Sequence, residues 1–125
     1  MLHWAKTHLK KSGLPDIEIG RIELALEEAL VNIISYSYHN DQGTIELEYN
    51  LKPKEQVEFT IKDRGRPFDP LQYKTKNSTT LLSERKEGGL GILLIKNLVS
   101  KVTYIRCQKT NILKLIKLFT PPTQD

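Results

Sequence analysis

Glu28 and Asn32 are a carboxylate and a carboxamide four residues apart inside an apolar run, Leu26-Glu27-Glu28-Ala29-Leu30-Val31-Asn32-Ile33-Ile34. On an α-helix residues at this spacing stack on one face, so the two side chains project together. Glu27 is turned away by about 100° and stacks on Glu23, as a solvated strip would. Glu28 and Asn32 are flanked instead by Leu24, Ala25 and Val31. Polar groups held against an apolar wall are costly unless they are paired, and a bound partner would relieve that cost. In general a carboxylate accepts protons, and an amide oxygen accepts a hydrogen bond or a hard cation. Alone, the pair also fits the plainer reading of a polar strip on an amphipathic helix.

Two further stretches have to be explained with it. Lys62-Asp63-Arg64-Gly65-Arg66-Pro67-Phe68-Asp69-Pro70 follows an alternating, strand-like run, and Glu87-Gly88-Gly89-Leu90-Gly91-Ile92 opens a second apolar helical segment. An Asp at a strand end is held in place by a rigid element, which is where ligand groups are often found. Free N–H groups at a helix start bind anions, and glycines let the backbone wrap them. The second segment lacks the Gly-x-x-x-x-Gly-Lys-Ser/Thr order of a P-loop and the catalytic-loop signature of ordinary protein kinases.

The elements that must position these residues can be read from periodicity. Leu2, Ala5 and Leu9 share one side of a short first helix that stops near Gly13, and Pro15-Asp16 supplies a turn and an N-cap. The long helix carrying Glu28 and Asn32 is expected from about Ile17 to Tyr38, ending in the turn-rich His39-Asn40-Asp41-Gln42-Gly43. Ile45, Leu47, Tyr49 and Leu51 alternate with polar residues, as do Val57, Phe59 and Ile61. This is the period of half-buried strands, so an antiparallel hairpin should deliver Asp63 to the end of its second strand. Residues 90–100 have helical spacing closed by Lys101, and Val102–Cys107 and Asn111–Phe119 form a second strand pair around Gln108-Lys109-Thr110. Between Arg64 and Glu87 periodicity fails. That length suits a lid over a ligand, and its six cationic side chains, Arg64, Arg66, Lys74, Lys76, Arg85 and Lys86, against Asp69, Glu84 and Glu87 suit a phosphate.

Length and composition narrow the setting. The 125 residues fit a single domain, residues 1–120, followed by a C-terminal tail, residues 121–125. Cys107 is the only cysteine, so neither a disulfide framework nor a cysteine-rich zinc site is expected. No stretch reads as a signal peptide or a membrane span, and the expected location is the cytoplasm. The formal net charge of +4 permits an acidic partner. Aromatics make up 7% and do not interleave with the basic residues, so no direct nucleic-acid contact is expected. His3, His8 and His39 are read as surface residues without a role.

Taken in this order and at these separations, the three motifs resemble the GHKL superfamily of ATP-binding domains, and within it the anti-sigma-factor serine kinases of the RsbW type. The match runs from about Ile17 to Phe119. It implies an α/β fold, a two-layer sandwich in which a mixed, mostly antiparallel sheet carries helices on one face. By the resemblance, Asn32 corresponds to the Mg²⁺ ligand and Glu28 to the catalytic carboxylate. Asp63 corresponds to the residue that reads the exocyclic amine of adenine, with Gly65 letting the backbone approach the ring. Gly88, Gly89, Leu90 and Gly91 correspond to the phosphate-side segment. ATP and Mg²⁺ are the implied cofactors. The implied partners are a sigma factor, a STAS-type anti-anti-sigma protein whose serine or threonine is phosphorylated, or both, and the resemblance also allows a homodimer. A module of the same fold that binds nucleotide to shape a docking surface, without catalysis, is the alternative. Two departures stand out: Ile34-Ser35-Tyr36-Ser37-Tyr38 stands where many relatives carry a small residue and then His-Gly-Tyr, and the sequence begins almost in its first helix, where relatives usually have a preceding strand.

Overall fold

The four strand-like stretches form two antiparallel hairpins joined through their second strands. The computed structural model describes residues 1–36, 43–67 and 94–119. Within them the order is α1 (Leu2–Lys10), α2 (Asp16–Tyr36), β1 (Ile45–Lys52), β2 (Gln56–Asp63), β3 (Lys101–Cys107) and β4 (Thr110–Leu118), with residues 94–98 helical. The strand order is β1-β2-β4-β3 and every described pairing is antiparallel. Lys101, read from sequence as a helix-closing residue, is the first residue of β3.

Side chains two apart on a strand share a face, and the register stacks the apolar ones across the sheet. Phe59 lies opposite Tyr49 and Leu115, and Ile61 lies opposite Leu47 and Leu113. Val57, Phe59, Ile61, Leu113 and Leu115 are between 0% and 4% exposed. The layer against them comes from Ala5 and Leu9 of α1, from Ile95 and Val99, and from Ile19, Ile22, Ala25, Leu26, Ala29 and Ile33 of α2. The α2 positions recur at three- and four-residue steps, the stripe of a helix that buries one face. Each fully buried Leu, Ile or Phe contributes about 1.5–3 kcal/mol. The opposite face of the sheet is polar over β1 and β2 and mixed over β4 and β3, where Ile112, Ile116 and Ile105 lie; on this face Lys62 bridges to Glu48 at 2.9 Å and Lys114 to Glu58 at 3.7 Å.

Local chemistry sets the helix ends. The Ser12 hydroxyl donates to the Leu9 carbonyl at 2.7 Å and accepts from the Leu14 N–H at 3.2 Å, which closes α1. Gly13 follows at φ +95°, a backbone state that side chains disfavour. The Pro15 carbonyl already accepts from Glu18 and Ile19, each at 3.0 Å, so Asp16 is the first helical residue and not the cap. α2 is described to Tyr36; the expected last turn and the cluster at 39–42 lie outside the described residues. No described helix is long and apolar enough to cross a membrane.

Candidate functional site

Glu18, near the start of α2, pairs with Lys117, whose strand neighbour is Val57 at the start of β2. That ion pair fixes the beginning of the helix at the end of the sheet opposite Asp63. With its apolar stripe laid on the strands, α2 runs from there toward the Asp63 end and carries Glu28 and Asn32 with it. A helix of this length spans roughly 30 Å and an eight-residue strand roughly 26 Å, so the two are matched in reach.

On α2, Glu28 is half-buried and Asn32 is 2% exposed. Their link is not between side chains: the Asn32 Nδ2 donates to the main-chain carbonyl of Glu28 at 2.8 Å. The Asn32 Oδ1 is buried and has no hydrogen-bond partner among the described residues. A buried acceptor without a donor costs about 1–3 kcal/mol, and a neutral amide oxygen is a suitable ligand for a hard cation such as Mg²⁺. The residues present therefore fit a magnesium ion. Glu27 is exposed, while Glu23 is half-buried; both line a groove against Leu2, Ala5 and Lys6 of α1.

At the far end of the sheet the inward-facing row turns polar. Asp63 continues the face of Val57, Phe59 and Ile61, Asn111 stands opposite it on β4, and Arg106 stands opposite Asn111 on β3. Asp63 and Asn111 are each 3% exposed. The Asp63 Oδ1 accepts from the Gly65 N–H at 2.9 Å, a side-chain turn that folds the chain back at the strand end. The same oxygen accepts from the Asn111 Nδ2 at 3.0 Å. Asn111 also donates to the Arg66 carbonyl at 2.8 Å, and Arg106 donates to the Gly65 carbonyl at 3.0 Å. A cleft of about 380 Å³ adjoins this end, with Thr44, Lys62, Asp63, Arg64 and Thr110 in its walls. A buried carboxylate fixed in this way can accept a hydrogen bond from an amine without moving.

Of the site residues singled out from sequence, four are described: Glu28, half-buried, and Asn32, buried, on α2; Asp63, buried, at the end of β2; and Gly65 in the turn after it. Gly88, Gly89, Leu90 and Gly91, and all of the stretch from Arg64 to Glu87 read as a lid except residues 64–67, lie outside the described residues. Asn111, Arg106 and Tyr104 escaped the sequence reading. A partial signal existed: Asn111 shares its strand parity with Leu113 and Leu115, and Arg106 shares its parity with Val102 and Tyr104. His8 is also more than a surface residue. It is half-buried and sits between Trp4, met edge-on, and the tilted ring of Tyr49, with ring centroids 4.5 and 4.8 Å away.

The profile of the histidine kinase-like ATPase domain matches residues 1–117, nearly the whole chain. The chain belongs to the histidine kinase-like ATPase domain family. Two similar relatives are named serine-protein kinase RsbW. The protein from Halalkalibacterium halodurans is 30% identical over 89 residues, covering 68% of this chain and 54% of the relative. The one from Staphylococcus aureus is 32% identical over 99 residues, covering 74% and 62%. The match thus spans little more than half the length of these relatives. Among solved structures, the blue-light activated histidine kinase of Erythrobacter litoralis is similar at a TM-score of 0.65 and 21% identity, over 87% of this chain and 33% of that one. The likeness concerns the fold. The two-layer α/β arrangement expected from the sequence is the arrangement of the histidine kinase-like ATPase domain.

Proposed function

We propose that this chain is an ATP- and Mg²⁺-dependent serine/threonine protein kinase of the anti-sigma type. It phosphorylates a STAS-type anti-anti-sigma partner, holds a sigma factor, or does both, in the cytoplasm and through one domain spanning residues 1–120. The observation that carries this reading is the buried Asn32 Oδ1, without a hydrogen-bond partner among the described residues, one helical turn beyond Glu28. In this reading ATP supplies the phosphoryl group and Mg²⁺ offsets its charge. Asn32 ligates the ion through Oδ1, Glu28 accepts the proton of the attacking hydroxyl, and Asp63 accepts the exocyclic amine of adenine, with Gly65 beside it. Gly88, Gly89, Leu90 and Gly91 contact the phosphates. The names of the relatives support the kinase assignment, and the family supports ATP as the nucleotide.

The decisive experiment is titration with ATP in the presence and absence of Mg²⁺, followed by a transfer assay on a serine-bearing STAS protein. Glu28→Gln keeps the shape of the side chain and loses the proton acceptor, so ATP binding is expected to stay within about twofold. Transfer should fall by roughly 10²–10⁴-fold. Asp63→Asn should weaken ATP binding itself. Absence of ATP binding by the unmodified chain overturns the proposal; binding without transfer to any serine leaves a nucleotide-dependent interaction module.

A further inference from the structure

We infer that Asn111 is the positioning residue that presents Asp63 to the nucleotide base, and so sets the preference for a 6-amino purine. Asn111 does not touch the base in this assignment; it acts through the carboxylate, on which the proposed adenine-reading role rests. The side chain of Asn111 uses its whole hydrogen-bonding capacity. Its two N–H bonds go to the Asp63 Oδ1 at 3.0 Å and the Arg66 carbonyl at 2.8 Å, and its Oδ1 accepts from the Tyr104 hydroxyl and from the Arg106 Nη1 at 2.9 Å. A carboxamide offers two donors and two acceptor lone pairs, and all are engaged. Its orientation is fixed as well. The Asp63 carboxylate and the Arg66 carbonyl accept only, the guanidinium donates only, and an amide turned by 180° would meet the wrong group at each.

The consequence for Asp63 lies in which oxygen is taken. Gly65 and Asn111 both donate to Oδ1, and among the described residues none donates to Oδ2. With two N–H groups on one oxygen, the carboxylate plane is held and the other oxygen remains for an incoming donor. An exocyclic amine is such a donor, whereas a carbonyl at the same ring position would face oxygen against oxygen. The bonds from Asn111 to the Arg66 carbonyl and from Arg106 to the Gly65 carbonyl fasten the turn after β2 to the β3–β4 hairpin, so base edge and turn are registered by two paired side chains. No common substitute does this. An Asp at 111 would lack the donors and set a second carboxylate beside Asp63, and a Leu would fill the volume without bonding.

Wild type, Asn111→Ala and Arg106→Met, each titrated with ATP and with the analogue that carries hydrogen in place of the 6-amino group, test this. Arg106 is exposed, so its replacement tests the support of Asn111 without emptying a buried site. Wild type should prefer ATP by about 10–100-fold, the worth of a hydrogen bond to a charged group. Asn111→Ala should lose about tenfold or more for ATP and less than twofold for the analogue, so that the preference collapses; Arg106→Met should do the same more weakly. In an Asp63→Ala background, Asn111→Ala should have no further effect. Should Asn111→Ala not fold by circular dichroism, the Arg106→Met pair of titrations decides. Equal losses for both ligands, or an unchanged preference, overturn the positioning role. Failure of wild type to bind ATP, or to distinguish it from the analogue, overturns the adenine-reading role of Asp63 and this inference with it.

Discussion

Asn32 donates its amide to the main-chain carbonyl of Glu28, 2.8 Å away, and is thereby held with its own carbonyl oxygen buried and without a donor among the described residues. An asparagine inside a helix commonly reaches for backbone groups near it. Here the contact has a chemical result, because the bond to Glu28 fixes which end of the amide remains. The orphaned end is an acceptor, the end that a cation needs.

Asn32→Ala should therefore separate metal-dependent from metal-independent binding. ATP affinity measured with Mg²⁺ is expected to fall by tenfold or more, while affinity measured in chelator should match wild type within about twofold. Stability should change little, within about 2 kcal/mol, because the lost bond to Glu28 is offset by removal of an unpaired acceptor. Isothermal titration under the two conditions, with a thermal melt of each chain, gives all three values. An equal loss of affinity with and without Mg²⁺ would assign Asn32 to packing alone.

Glu18 and Lys117 are 16% and 15% exposed and form the contact that sets the direction of α2 across the sheet. Partly buried pairs are destabilised most when a single partner is removed, since the other charge is left in a poor solvent. Glu18→Gln and Lys117→Met should each cost about 1–3 kcal/mol, less than the 3–5 kcal/mol of a fully buried pair. The double substitution should recover part of that loss. Urea denaturation of the four chains as a double-mutant cycle measures the coupling; additive losses would mean that the pair does not anchor the helix.

Much of this arrangement was legible in the sequence, and the reasons differ from place to place. Leu47, Tyr49, Phe59 and Ile61 alternate strictly, so both hairpin strands and the delivery of Asp63 to a strand end could be read from period alone. Glu28 and Asn32 were visible as polar residues in an apolar run. The bond between them was not, because it uses a backbone carbonyl that every residue carries. Asn111 and Arg106 were missed because their importance comes from pairing across β2, β4 and β3, a register that joins residues 48 apart in the case of Asp63 and Asn111. Local pattern carries no information about such partners. The Glu18–Lys117 pair was hidden for the same reason.

Tyr49 gives the fold an alkaline limit. Its ring lies 5.1 Å from Phe59 and 4.8 Å from His8, and burial pushes its phenol above the ordinary value of 10.0. In the unfolded chain the phenol ionises near its ordinary value, so between that value and the raised one the unfolded state binds fewer protons than the native state. Stability must then fall as pH rises through this window, and is fully present below it. Tyr49→Phe should lose the long hydrogen bond, 3.5 Å, that its hydroxyl donates to the His8 carbonyl, at little cost near neutrality. Its stability should fall less steeply than wild type above pH 10. Parallel slopes for the two chains across that range would remove Tyr49 as the titrating group.

The turn between β3 and β4 is held in a strained form that can be relieved. Cys107 pairs with Thr110, which leaves Gln108 and Lys109 as a two-residue loop with φ of 50° and 64°. Positive φ at both positions is the type I′ turn, whose twist matches that of the strands it joins and which favours Asn followed by Gly. A side chain in the left-handed region costs roughly 1–2 kcal/mol. Glycine avoids the clash but also loosens the unfolded chain, which returns part of the gain. Lys109→Gly should therefore stabilise by about 0.5–1 kcal/mol, and Gln108→Asn together with Lys109→Gly by slightly more. A gain of 1 kcal/mol corresponds to a rise in melting temperature of roughly 4 °C for a domain of this size. Lys109→Val is the control, because a β-branched side chain is least tolerant of positive φ and should destabilise. Denaturant titration of the four chains places them in the order Asn-Gly, Gln-Gly, Gln-Lys, Gln-Val, and a Val variant as stable as the Gly variant would show that backbone strain at 109 does not limit this hairpin.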